Sequence, residues 1–325
     1  MESGNSLFDR LHFALREVFP NPPTFFVDDS CLSAWLENQG FLVERFDPKN
    51  LELASEAARE NAVLVSTSDS DVNYNHLDKA FHDSRLLILP LFAFDPSLEA
   101  AKYTLEMLAR SDFGVATRRN QELVSSFSKR NEPIRFLGHG TDLSIALGDK
   151  IHLMQPKEDP MLMPGEWEAV AAWLETAFIP SDDNIFEPGY KADGVFVAQG
   201  VAVAYHRHAP PAVAKQHDDA WKMLRKLQVA GEFPLTLTIE NSHLKTAITP
   251  SGQDVAPGIL ELTNPKLELL VVEVAMSGNS GIQASEIDWS INSVANEGSA
   301  GVHIACGDGE TGAHIDFIAP GVEVI

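Results

Sequence analysis

Cysteine is nearly missing: Cys31 and Cys306 are the two in a chain of 325 residues. Thiols so far apart make no disulfide framework and fit a reducing compartment. Long apolar runs are missing too. No stretch approaches the ~20 apolar residues of a membrane span. The opening MESGNSLFDRLHFALREVF carries charges where a signal peptide would have an apolar core. Positive charge is scarce, with 24 Lys and Arg against 47 Asp and Glu and a formal net charge of -23. Such a surface repels nucleic-acid phosphates and anionic membranes, so neither is expected as a partner. No GxGxxG supports a dinucleotide site, and SGNSG (277–281) lacks the Lys-Ser/Thr ending of a phosphate loop and reads as a turn. There is no GxSxG nucleophile elbow, and neither cysteine has a base partner nearby in sequence. No repeat or low-complexity tract appears. The expectation is an acidic cytoplasmic protein.

Apolar residues make up 44% of the chain, enough to bury a sizeable core. The first third alternates helical and strand-like pieces. Leu7, Leu11, Leu15 and Val18 recur at helical spacing, TFFVDD (24–29) reads as a strand, and CLSAWLENQG as a helix closed by Gly40. FLVERF, NAVLVSTS (61–68) and RLLILPLFAF (85–94) add strands, and PSLEAAKYTLEMLARSD (96–112) a helix. Nearly continuous apolar strands suit a central sheet covered on both faces. QELVSSFSKR (121–130) is a further helix, after which strands and glycine turns dominate. Hairpins are expected in PIRFLGHGTDLSIALGDKIHL around Gly138–Gly140, in KADGVFVAQGVAVAYHR near Gln199-Gly200, and in LTLTIENSHLKTAIT at Glu240–Ser242. LELLVVEVAM (267–276) is a strand, and DDAWKMLRKLQVAGE (218–232) a long helix. The fold class is therefore an α/β domain over residues 1–113, followed by an α+β domain over 114–325 with a mostly antiparallel, curved sheet.

The segment GVHIACGDGETGAHIDFIAPG (301–321) carries the chemistry. Side chains alternate along a strand, so His314 and Asp316 share a face. A loop of Asp308 to Thr311 would place His303 opposite Asp316, with Ile304, Ile315 and Phe317 packing the other face. A loop one residue longer or shorter changes that pairing but not the His314–Asp316 relation. Glu273 sits among Leu270, Val272, Val274 and Met276. An ionised carboxylate in such a strand is costly unless paired or bound to metal. Glu273, His314 and Asp316 would suit Fe, Mn or Zn as one divalent ion, with positions left open for water or substrate. The competing reading, an incidental HxD pair with Glu273 in solvent, stays open.

Other groups are weaker. His206 and His208, with His217 nearby, could form an auxiliary metal site, or YHRH could be a solvated loop. His139 and Asp142 fit a structural turn better than a substrate contact. Trp167, Trp173, Trp221 and Trp289 fit a core better than a peptide groove.

The order of motifs GTDLSIALGD (140–149), MPGEWEA (163–169), VVEVAMSGN (271–279), VHIACGD (302–308) and HIDF (314–317) resembles the thermophilic metallo-aminopeptidases of the aminopeptidase T and S type. Their relative 2,5-dihydroxypyridine 5,6-dioxygenase has the same fold and a single non-haem iron. The resemblance runs from about residue 135 to 318 and is thin between 180 and 260. It implies that Glu273, His303, His314 and Asp316 match metal ligands. A further peptidase ligand, a Glu, aligns with TPSG (249–252), where no acid stands, and the loop that carries a peptidase tyrosine is shortened. In the dioxygenase a His stands at the position of Glu273. The expectation is a metal-dependent enzyme acting on a peptide or small peptide-derived substrate, distinct from a standard two-metal aminopeptidase. In it Glu273, His314 and Asp316 hold the ion, and His303 is fourth ligand or catalytic acid/base. The rivals are a non-catalytic peptide-binding accessory protein of a biosynthetic pathway and, more weakly, a mononuclear non-haem iron oxygenase. Expected partners are a peptide or small-molecule substrate and a second copy in a homodimer.

Overall fold

The structure, a computed structural model, describes residues 6–47, 59–68, 74–127, 132–148, 150–180, 184–206 and 209–325. Its first sheet is parallel, in the order β2-β1-β3-β4-β8, from β1 (Thr24–Val27), β2 (Val43–Arg45), β3 (Asn61–Ser66), β4 (Arg85–Pro90) and β8 (Trp167–Ala169). Alternation divides its side chains cleanly. Phe25, Val63, Val65 and Leu87 meet Leu11, Leu15, Leu105 and Leu108 on one side, while Phe26, Leu64 and Leu86 meet Leu77 and Phe81 on the other. Both faces are covered, as the continuous apolar runs require. The helix Ser30–Gln39 ends at Gly40, whose φ of 96° is the left-handed cap a glycine accepts.

Two antiparallel sheets replace the single curved one expected. The outer sheet has the order β13-β12-β10-β6-β5-β17, built from β5 (Ile134–Gly138), β6 (Thr141–Leu147), β10 (Tyr190–Ala198), β12 (Leu235–Glu240), β13 (His243–Ile248) and β17 (Glu323–Val324). The middle sheet has the order β11-β16-β15-β14-β9-β7, from β7 (His152–Met154), β9 (Glu175–Ile179), β11 (Gly200–Ala204), β14 (Val271–Ser277), β15 (Gly301–Cys306) and β16 (His314–Pro320). Phe136, Leu143, Phe196 and Leu237 of the outer sheet share one core with Val274, Met276, Ile304, Ile315 and Phe317 of the middle sheet. The opposite face of the middle sheet turns Ala202 and Ile318 toward Leu105, Trp173, Leu174 and Val294. That face, enclosed between the antiparallel pair and the parallel layer, carries the polar cluster described below.

Several elements differ from expectation. Residues 190–204 are not a hairpin: Ala198 pairs with Leu235 in the outer sheet, whereas Gly200 pairs with Ile318 in the middle one. One residue, Gln199, is too short for a hairpin loop and instead carries the chain from sheet to sheet, a corner of the sandwich. The strand expected over 267–276 begins at Val271, because Glu268 and Leu269 are left-handed (φ 48° and 59°). The helix expected over 218–232 spans Pro211–Val229, started by proline in its first turn. The helix expected over 121–130 is the second half of Phe113–Phe127, and residues 128–130 lie outside the described residues. The hairpins at Gly138–Gly140 and at Asn241-Ser242 form, the latter with both loop residues at positive φ.

The sheet-to-sheet corner depends on a missing side chain. A Cβ on Gly200 would overlap the six-membered ring of Trp289. Gly200→Ala is expected to destabilise by about 1–3 kcal/mol through overpacking. Thermal unfolding would show it as a lowered melting temperature, and an unchanged one would mean the ring moves freely.

Candidate metal centre

Four strands and a short helix bring six titratable side chains together. In the closing hairpin His303 lies opposite Ile318 and Ala305 opposite Asp316. The register thus differs by two residues from the expected His303–Asp316 pairing, because the loop runs from Gly307 to Ala313 rather than over four residues. A shift of two preserves the faces, so His303, His314 and Asp316 still point the same way. Glu273 lies on the neighbouring strand of the same sheet, opposite Ala305. A β-bulge between Val271 and Glu273 rephases β14 there, so that Val271 keeps to the apolar core while Glu273 joins the polar face.

Two further acids were invisible in the sequence. Glu175 opens β9 opposite Ser277, and residues 273, 275 and 277 share a face, so its carboxylate joins the cluster. Glu297 ends the short helix Val294–Glu297 and comes against Asp316. The stretch 249–252, where the resemblance places a fifth ligand, is a turn following β13, in the other sheet. Its lack of an acid therefore says little about this site.

The geometry suits a cation. His314 Nε2 stands 3.1 Å from Asp316 Oδ1 and 3.4 Å from Glu273 Oε2. His303 Nε2 stands 3.6 Å from Glu273 Oε1, 3.8 Å from Glu175 Oε2 and 3.9 Å from Asp316 Oδ1. Donors bound to a divalent ion at ~2.1 Å stand about 3–3.5 Å from one another, which is the His314 spacing. Two ligand sets emerge, Glu273–His314–Asp316 and Glu175–Glu273–His303, with Glu273 common to both. His314 Nδ1 lies 2.8 Å from the Gly307 carbonyl. Donation there leaves Nε2 with a lone pair aimed into the cluster, as in metal-bound histidines whose other nitrogen donates to a backbone carbonyl. Glu175 Oε2, Glu297 Oε1 and Asp316 Oδ1 are buried without a hydrogen-bond partner. Orphaned carboxylate oxygens of this kind are what a cation would satisfy. The side chains of His314 and Glu273 keep 20% and 17% of their exposure, against 3% for His303 and 2% for Asp316, so the cluster opens on the His314 side.

Without a cation, the charges settle by proton sharing. Burial pushes His303 down, but pairing with Glu273 and the charges of Glu175 and Asp316 overcome it and raise its pKa to about 9. Burial likewise opposes the charge on His314, and Asp316 and Glu273 raise it well above the usual imidazole range. Glu273 is pushed up by burial but held well below the usual carboxylate range by the two imidazoles. Burial, opposed by His303 and reinforced by Glu273, lifts Glu175 to about 7. Burial and the charge of Asp316 keep Glu297 protonated far above its usual range.

The other expected groups lie apart. Asp142 is gripped by Arg135 through two hydrogen bonds of 2.8 and 2.6 Å, with His139 in the adjoining turn. His217 is buried, with Nε2 3.0 Å from the Val203 carbonyl. His206 lies by the Gly309 backbone, and His208 falls outside the described residues. Trp173 is a core residue, stacked edge-on against Phe113.

Three layers, with a carboxylate- and imidazole-rich face on the middle sheet, define the general class: an α/β layer on an antiparallel sandwich, with a candidate metal centre between them. The chain belongs to the family described as crocagin biosynthetic protein CgnE/B, which it matches over residues 21–325. No curated protein matches it. Among solved structures it is similar to wild-type AmpT from Thermus thermophilus, with a TM-score of 0.50 and 15% identity over 98% of this chain and 94% of that one. It also matches 2,5-dihydroxypyridine dioxygenase from Pseudomonas putida KT2440, with a TM-score of 0.47 and 12% identity over 98% and 93% of the two chains. At these identities the likeness is one of fold. No helix among the described residues is long and apolar enough to cross a membrane.

A pH dependence follows for the metal-free protein. A free imidazole titrates near 6.5 and folded His303 at about 9. The stability from holding that proton is complete below 6.5 and is lost as pH rises to about 9. Glu175, raised from 4.5 to about 7, loses stability in the same direction at lower pH. Chelator-treated protein should therefore melt at progressively lower temperature as pH rises from about 6.5 to 9. A flat or rising profile in that window would contradict the assignment.

Proposed function

We propose that this protein is a metal-dependent enzyme acting on a peptide or small peptide-derived substrate within a biosynthetic pathway. The observation that carries the reading is the set of three buried carboxylate oxygens without hydrogen-bond partners beside two imidazoles. The motif order shared with aminopeptidase T-type enzymes supports the peptide side, and membership of a biosynthetic family supports the pathway side.

Glu273, His314 and Asp316 would hold one divalent ion. Such an ion supplies Lewis acidity and a bound water of lowered pKa. Geometry favours this set over Glu175–Glu273–His303: its donors stand 3.1 and 3.4 Å from His314 Nε2, whereas those around His303 Nε2 stand 3.6 to 3.9 Å away. His303 would move a proton at Nε2, the atom facing Glu273, Glu175 and Asp316. Substrate would approach over His314 and Glu273, the more exposed members. The short Gly307–Ala313 connection and the wider donor spacing around His303 argue against ordinary two-metal peptide hydrolysis. Leucine-anilide substrates should be turned over slowly or not at all, and rapid chelator-sensitive turnover would refute this.

A second reading rests on the imidazole–carboxylate contacts: without a metal, His303 and His314 each stand within 4.0 Å of Glu273 and Asp316, and these neighbours favour the protonated rings. A binding protein with the pocket but without an ion would be electrostatically sound. Elemental analysis of the purified protein separates the two. The enzyme reading expects a bound divalent ion, with added Mn²⁺, Fe²⁺ or Zn²⁺ stabilising apo-protein by about 2.7 kcal/mol at a hundredfold excess over Kd. Binding should tighten as pH rises and the imidazoles release protons, and His314→Ala should abolish it. No metal and no shift in melting temperature would leave the peptide-binding reading.

A further inference from the structure

Ser277 ends β14, four residues beyond Glu273 on the same face, and is 8% exposed. Its Oγ lies 2.8 Å from the Leu174 carbonyl and 3.1 Å from the Gly298 carbonyl, and accepts from the Asn279 backbone N–H at 3.2 Å. Leu174 directly precedes Glu175, and Gly298 directly follows Glu297. A hydroxyl has one proton, so Ser277 is the shared donor of both carbonyls. Two four-residue helices, Ala171–Leu174 and Val294–Glu297, thus end against each other at this side chain. Their approach is close: a Cβ on Gly298 would overlap the Leu174 side chain.

Two asparagines, both wholly buried, extend the tie. Asn279 donates from Nδ2 to the Gly298 carbonyl at 3.0 Å and to Ser111 Oγ at 3.1 Å. Asn120 donates to the Trp173 carbonyl at 3.1 Å and accepts from the Gly278 N–H at 2.8 Å. Helices of four residues have no stability of their own, so their ends stay where their partners hold them. The Glu175 and Glu297 carboxyls at these two ends face other acids and add no attraction between the ends. Ser277 ties the ends together from the strand that supplies Glu273.

We propose that Ser277 is a positioning residue that sets the spacing of Glu175, Glu273 and Glu297, and through it the cation affinity of the cluster. The inference rests on the metal reading above. It assigns Ser277 no contact with the ion or substrate. Its hydroxyl acts through two backbone carbonyls, and outer-shell partners of this kind typically shift metal affinity 10–100-fold.

The test is calorimetric titration of the full chain with Mn²⁺ at one fixed pH. Ser277→Ala should weaken Mn²⁺ binding by about tenfold or more. Ser277→Thr, which keeps the hydroxyl, should restore it. Ile239→Val, in the core of the far sheet, should lower the melting temperature and leave affinity unchanged, which separates positioning from general destabilisation. Glu175→Gln should cost less in the Ser277→Ala background than alone, since the serine acts partly through that glutamate. Should Ser277→Ala fail to fold, Ser277→Cys keeps the shape with a weaker donor and carries the same expectation of weaker binding. Wild-type affinity in Ser277→Ala, or in Ser277→Cys where the alanine variant does not fold, overturns the positioning role while leaving the metal reading intact. No Mn²⁺ uptake by the wild-type protein overturns both.

Discussion

Three carboxylates and two imidazoles on one buried face of the middle sheet, with Glu297 packed against them from a short helix, form a cluster whose charge must be balanced there. An uncompensated buried carboxylate costs several kcal/mol, far more than any surface ion pair returns. The surrounding architecture serves that balance. The parallel layer and the antiparallel sandwich bury the face from either side, the β14 bulge turns Glu273 onto it, and the Gly307 carbonyl fixes the His314 ring. Two states satisfy the charges: protons on both imidazoles, or a cation facing neutral ones. Exchange between them couples metal uptake to proton release.

Much of this was legible in the sequence, for identifiable reasons. The continuous apolar runs in 24–27, 61–66 and 85–90 signal a parallel sheet covered on both faces, and that sheet is present. Strand alternation alone places His314 and Asp316 together, and an acid inside LELLVVEVAM is anomalous enough to mark Glu273. The faces survive an error of two in the hairpin register because the strand period is two. An error of one would have turned His303 into the apolar core.

Glu175 and Glu297 were not legible, and the reason is distance along the chain. Glu175 follows a four-residue helix in a segment with little periodicity, and its pairing with Ser277 spans about a hundred residues. Glu297 sits in a loop-rich stretch whose single turn of helix gives no pattern to read. The 190–204 segment misled for a different reason. Gln199-Gly200 between apolar runs is good turn chemistry, but the Gly200 hydrogen is needed against Trp289, and the chain changes sheets rather than folding back. Local signals name the turn residue without saying which sheet receives the next strand.

The central claim is that the cluster is a cation site centred between His314, Asp316 and Glu273. Anomalous diffraction from crystals equilibrated with Mn²⁺ tests it most directly. The account predicts a strong anomalous peak bounded by His314 Nε2, Asp316 Oδ1 and Glu273 Oε2, with the imidazole still bonded through Nδ1 to the Gly307 carbonyl. A map without a peak there, with imidazole–carboxylate contacts unchanged at saturating Mn²⁺, would contradict it.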